Sequence, residues 1–141
     1  MTSKQIIVFL ILLFSVFFLS KTYAIHSQEC GDVQLVVKIS DVIVYGEVVK
    51  VETKEVKKGQ IYTLVNVKAD KYIKGEGRSS IVLKLPGGCI EAYCMGVSGI
   101  PIFYVGQKGY LYLSKPQSDD YASHEYYRPV CGYGVVKAPL E

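Results

Sequence analysis

The chain has 141 residues, half of them hydrophobic, with a formal charge of +3 and only two histidines. Less any leader, that length supports one hydrophobic core and not two. The near-balanced charge excludes the basic footprint by which nucleic-acid binders neutralise phosphates, and no block of like charge marks a tail or a membrane-surface patch.

The first segment sets the chemistry of the rest. Lys4 stands ahead of an apolar run from Ile6 to Ser20, broken only by Ser15. "KTYA" follows, with Thr22 and Ala24 small at the positions a signal peptidase reads. This predicts a signal peptide over residues 1–24, cleaved after Ala24, and a single mature domain over 25–141. The run is shorter than the roughly 20 residues that span a bilayer comfortably. The alternative is an uncleaved anchor formed by residues 5–20 with the domain outside. Either reading places the domain beyond the cytoplasm. Cleavage removes Lys4 and Lys21 and no acid, so the formal charge falls from +3 to +1. Cys30, in "HSQEC", lacks the small preceding residue of a lipoprotein signal. The only asparagine, Asn66, precedes Val67 and Lys68, which is no glycosylation sequon.

After the leader, "GDVQLVVKIS" carries Asp32 as an N-cap candidate and apolar residues at Val33, Val36, Val37 and Ile39. We read it as a short helix rather than a strand. "DVIVYGEVVKVETKEV" alternates through Val42, Val44, Gly46 and Val48. "QIYTLVNVKADKYI" sets Ile61, Thr63, Val65, Val67 and Ala69 against Tyr62, Leu64, Asn66 and Lys68. Gly59 supplies the turn between them. "KGEGRSS" separates a third strand, "IVLKLP". Glycines at 96, 99, 106 and 109 predict short strands, bends and bulges over "MGVSGIPIFYVGQKG". "YLYLSK" is a further strand, "PQSDDYASHE" the longest polar loop, and "YYRPVCGYGVVKA" a bent last strand. Five or six strands with at most one short helix define an all-β chain, a small barrel or a sandwich, and closure into a barrel would hide the sheet edges.

Four cysteines, Cys30, Cys89, Cys94 and Cys131, fall in the mature part. In an oxidising compartment they predict two disulfides, with three possible pairings. We favour Cys89 with Cys94 across a tight hairpin and Cys30 with Cys131. The longer loop gives the larger effect in the chain-entropy account, on the order of 4 kcal/mol for about a hundred residues. A four-cysteine zinc site needs close pairs on both sides, and only one close pair exists. A Cys-x-x-Cys redox motif is absent. A cysteine nucleophile needs a base, and His26 and His124 both sit in polar, solvated contexts. No catalytic residue, cofactor or metal site is assigned.

The residues also resemble a known family. "SDVIVYGEVVKV", the strand end "DKYIKGEG", the later "VGQKGYLYL" and the late Cys131 look like the netrin-like modules, of which the tissue inhibitors of metalloproteinases are members. Small exported OB-like domains of prokaryotic proteins are similar too. The likeness covers roughly Cys30 to Cys131 and implies a five-stranded OB-type barrel. In the metalloproteinase inhibitors a cysteine at the mature N-terminus chelates the target's zinc through its free amine and carbonyl. Here "IHSQE" precedes Cys30 after the expected cleavage, and Glu29 is a residue that signal peptidases reject at the cut. The resemblance therefore carries over in outline and not in that mechanism. The inhibitors' C-terminal subdomain has no expected counterpart.

The chain holds 12 tyrosines. Tyr104, Tyr110 and Tyr112 follow strand patterns and read as packing residues. Tyr121, Tyr126, Tyr127 and Tyr133 cluster near the last loop and form the candidate binding surface, since tyrosine offers large contact area at small entropic cost. Capping of one barrel end is the plainer role for them. Asp119, Asp120 and Glu125 share that loop without the ligand spacing of a calcium site. The expected function is a secreted, disulfide-stabilised, non-catalytic binding module for an extracellular protein or an envelope component, a protease inhibitor being one special case. The alternatives are a small secreted enzyme using paired carboxylates or a Cys–His site, and an anchored structural envelope protein. Cleavage is checked by N-terminal sequencing of exported protein: Ile25 is the expected first residue, and recovery of the intact leader in the membrane fraction contradicts it.

Overall fold

The structure, a computed structural model, describes residues 5, 29–117 and 126–140. The expected leader, its cleavage site, His26 and the polar-loop residues Asp119, Asp120, Tyr121, His124 and Glu125 lie outside the described residues. The chain divides into two compact units, Met1–Asp32 and Val33–Glu141. In the first, Glu29–Gly31 form one 3₁₀ turn.

The second unit opens with helix α1, Val33–Ile39. It is two turns long because its apolar residues repeat at helical spacing for only that distance, and Val36 is fully buried. Its end is held by two groups. The buried Ser40 hydroxyl donates to the Val36 carbonyl at 2.6 Å. The Lys74 ammonium donates to the carbonyls of Val37 and Lys38 at 3.1 and 2.9 Å. The lysine satisfies carbonyls that a helix end leaves unpaired and complements the helix dipole, while the Ser40 hydroxyl adds a second bond to a carbonyl that also accepts the Ser40 N–H at 3.0 Å.

The strands are β1 (Val42–Lys57), β2 (Gln60–Lys74), β3 (Ser80–Pro86), β4 (Gly88–Ile90), β5 (Tyr93–Met95), β6 (Lys108–Gln117) and β7 (Tyr126–Pro129). Five of them pair in the ring β1-β2-β3-β7-β6 and back to β1, and β4-β5 form a separate two-stranded ribbon. All pairings in the ring are antiparallel except β3 with β7, which meet in parallel at Leu83 and Tyr127. This is a small closed five-stranded barrel, one of the two architectures the strand count allows and the OB type that the resemblance implies.

β1 makes the ring possible. It pairs with β2 along most of its length and with β6 over Val42–Glu47 on its other edge. Register shifts at Ile43/Val44, Tyr45/Gly46 and Val48/Lys50 bend it, since an extra residue on one strand sharpens local twist. Gly46 sits where β1 and β2 approach closely. A Cβ built there would lie 2.5 Å from the Lys68 carbonyl oxygen, so the two backbones come together only because that position has no side chain.

Alternation fills the interior. Val42, Val44, Val48, Val65, Val67 and Leu83 all face one core, each at most 2 % exposed. The opposite face of β1 is covered as well. Ile43 joins Val36, Tyr112 and Val130 in a second cluster beneath α1 and the C-terminal segment. The buried Tyr112 hydroxyl accepts the Leu140 N–H at 2.7 Å, and Val136 bridges to Tyr110, which ties the end of the chain to β6.

Two expectations need correction. The last strand is short: it ends at Pro129, Val130–Gly132 form a 3₁₀ turn, and Cys131 has φ 52°. Proline removes a ladder donor, and a positive φ turns the chain out of the sheet. The glycine-punctuated segment after Met95 contains no strand before Lys108. Gly99 and Gly106 serve turns instead of bulges in a ladder.

Leu83 is fully buried at the point of parallel closure. Leu83→Ala is expected to cost about 3 kcal/mol, read as a lowered urea midpoint with an unchanged slope. A loss under about 1 kcal/mol would mean the ring is not closed tightly there.

Candidate functional site

The connection from β3 to β6, residues 87–107, is where apolar chemistry is left unburied. It starts with the β4-β5 hairpin, whose turn places Glu91 at φ 53°. Cys89 and Cys94 face each other across this ribbon and are disulfide-bonded, with Cα atoms 4.1 Å apart. A two-stranded ribbon of three residues a side is marginal by itself, and the bond fixes its register. Cys30 and Cys131 are each disulfide-bonded as well, and none of the cysteines is free. The sulfurs are cross-links, as disulfides in an oxidising compartment are.

Beyond the hairpin the chain runs "GIPIFYVGQ". Phe103 is 6 % exposed and belongs to the barrel core, while its neighbours Ile102, Tyr104 and Val105 are 72 %, 63 % and 65 % exposed. The segment is not loose. The Tyr104 N–H donates to the Gln107 side-chain oxygen at 2.9 Å, and the Gln107 N–H returns to the Tyr104 carbonyl at 3.2 Å. Gly106, at φ +90°, makes that turn accessible, because a side chain there would be strained. The turn is then joined to the barrel. The Gly106 N–H donates to the Val48 carbonyl and the Val48 N–H to the Gln107 carbonyl, both at 2.8 Å. The register shift after Val48 leaves Val49 exposed beside this junction. Tyr93 and Val97, further back on the same connection, are exposed too. The result is an apolar knuckle anchored by one buried aromatic and a hydrogen-bonded turn.

Two clefts flank the knuckle. One, of about 450 Å³, lies at the barrel mouth between Thr53, Thr63 and Leu85 on one side and Met95 of the hairpin and Val97 just after it on the other. The Thr63 hydroxyl is occupied, donating to the Gly87 carbonyl at 2.8 Å. The second, of about 360 Å³, lies between Tyr62, Lys84 and Arg128 on the outer barrel wall and Ile100 and Pro101. The Lys84 ammonium is 4.4 Å from the centre of the Tyr62 ring and 5.4 Å from that of Tyr126. Cation–π attraction of this kind holds a lysine head in place.

The expected tyrosine surface is divided. Tyr127 is 8 % exposed and packs in the barrel core, because alternation along β7 turns it inward. Tyr126 points outward, half-buried beside Lys84. Tyr133 packs against the second cluster under α1. Tyr121 is outside the described residues. Of the strand tyrosines, Tyr112 is buried, Tyr110 stacks edge-on to Tyr45 at 5.0 Å, and Tyr104 is exposed on the knuckle. Residue counting missed the knuckle. Its signal was available in the unalternating run from Ile100 to Val105 between two glycines, which has neither strand nor helix period.

The titratable groups that shift do so for structural reasons. Hydrogen bonds from Lys50 and Lys54 hold the half-buried Glu52 carboxyl below its usual range. Burial, and then the nearby Tyr127, pushes the Tyr72 hydroxyl up, and that hydroxyl donates to the Arg78 carbonyl at 2.7 Å. Among the described residues no three His, Cys, Asp or Glu side chains converge as a metal site, and no helix is long and apolar enough to cross a membrane. Compared with known proteins, the chain matches no family model, no curated protein and no solved structure.

Anchor and surface should separate by mutation. Phe103→Ala is expected to lose about 3–4 kcal/mol of stability. Ile102→Ser should change it by less than about 0.5 kcal/mol. Thermal and urea unfolding measure both, and equal losses would contradict the geometry described.

Proposed function

We propose that this chain is an exported, non-catalytic binding module whose partner is a protein seated on the knuckle at Ile102, Tyr104 and Val105. The observation that supports this most is the exposure of three consecutive-run apolar side chains on a segment held in one shape. Exposed apolar patches on small domains mark interaction surfaces. An aromatic and two aliphatic anchors on a fixed turn fit the core of an interface, where such residues dominate affinity. Fixing the turn before binding lowers the ordering cost that association must offset.

Export is the second part of the proposal. Paired sulfurs throughout the chain favour an oxidising compartment, and the leader read in residues 1–24 supplies the route. The netrin-like resemblance implies a five-stranded barrel and, through its inhibitor members, a protein partner. Zinc chelation by a terminal cysteine is left out, because Glu29 precedes Cys30 in the sequence.

Site-specific photocrosslinking in the exporting cell tests the proposal. A benzophenone side chain at Ile102 or Val105 should capture a discrete protein, and the same group at Lys54, outside the knuckle, should not. Capture of the same species from Lys54, or of nothing from either knuckle position, would overturn it.

A further inference from the structure

The two clefts adjoin. Leu85, Pro86, Ile100 and Pro101 line both, so the cleft at the barrel mouth and the cleft at Lys84 and Arg128 lie on either side of these four residues and together make a trough with two ends. Its two ends differ in chemistry. The mouth end is apolar with two threonines, and the far end carries two cations. No acid lines either part. The Arg128 guanidinium is exposed, and among the described residues no carboxylate lies within salt-bridge distance of it. Lys84 is already oriented by Tyr62 and Tyr126.

One wall of the trough offers backbone as well as side chains. Among the described residues, the N–H and C=O of Ile102 have no hydrogen-bond partner, and Ile102 is 72 % exposed. An unpaired donor and acceptor beside an apolar groove suit an extended peptide, which adds main-chain hydrogen bonds to pocket contacts. An acyl chain could use the apolar lining but not those groups.

We infer that the trough receives an extended peptide segment of the partner, with a bulky apolar side chain at the barrel mouth and an acidic side chain, or the terminal carboxylate, at Arg128 and Lys84. This names the partner's chemistry and rests on the binding-module reading. Arginine is suited to the role because its planar fork can hold a carboxylate bidentately. Lys84 lines the same cleft.

The probe is a random-peptide phage library panned against the full mature chain with its disulfides intact, followed by titration of one synthetic consensus peptide. The enriched peptides should place Asp, Glu or a free C-terminus a few residues from a large apolar residue. Binding of the consensus should weaken with added salt. Arg128→Gln should weaken it about tenfold and flatten the salt dependence, while Lys54→Gln should leave both unchanged. Circular dichroism melts confirm that the Arg128 variant is folded. Peptides with no acidic preference, affinity indifferent to Arg128→Gln, or no enrichment at all would overturn the inference. If crosslinking from Ile102 still captures a protein in any of those cases, the binding-module reading stands and only the acidic-peptide specificity falls. If crosslinking fails as well, both fall.

Discussion

The pairing of β1 with strands on both of its edges is the constraint on which the rest depends. A strand with β2 on one side and β6 on the other must bend, and bending a short antiparallel sheet this way curls it until β3 and β7 meet. Closure then decides what is buried. One side of each strand fills the interior with valine and leucine, and the outer face of β1 needs its own cover, which α1 and the C-terminal segment provide. Gly46 matters because it lets β1 and β2 approach at the bend. The closed ring also has few free edges, which for a chain this rich in β-branched residues limits edge-to-edge association.

The same closure accounts for the site. Once β3 and β6 are not neighbours in the ring, the chain between them has to travel across one end of the barrel. That crossing cannot bury all of its apolar residues, because a single end of a small barrel accepts few side chains. Phe103 takes the available place in the core. Its neighbours Ile102, Tyr104 and Val105 are left exposed, the last two at the Tyr104–Gln107 turn. The hairpin stapled by Cys89 and Cys94 stands on the other side of the crossing and forms one bank of the barrel-mouth cleft. Exposure here is a product of topology and not of loose packing.

Much of the fold was legible in the sequence. The 2-residue period of Val42, Val44, Gly46 and Val48 and of Ile61 through Ala69 is the direct imprint of a half-buried strand, and the structure buries all of those residues except Thr63 and Ala69, which are partly buried. The short helix was readable because Val33, Val36 and Val37 share one face. The C-terminal end was harder. "YYRPVCGYGVV" has strand composition, yet Pro129 and the positive φ of Cys131 stop the ladder after four residues, and composition does not report φ. The site was the least legible part. Tyrosine frequency drew attention to the last loop, whereas the apolar knuckle depends on which strands are neighbours, a property of the whole ring. The run Ile100–Val105 carried the only local hint, an apolar stretch without period.

The central claim is that the exposed apolar segment is held rigidly by the barrel before any partner arrives. Native-state hydrogen exchange of two amides tests it most directly: Gly106 N–H, bonded to the Val48 carbonyl, and Val48 N–H, bonded to the Gln107 carbonyl. If the knuckle is part of the barrel, both should exchange as slowly as core amides such as Val65 and Leu111, through global unfolding. Exchange of Gly106 at the rate of an unprotected loop amide, with Val65 still protected, would contradict the account.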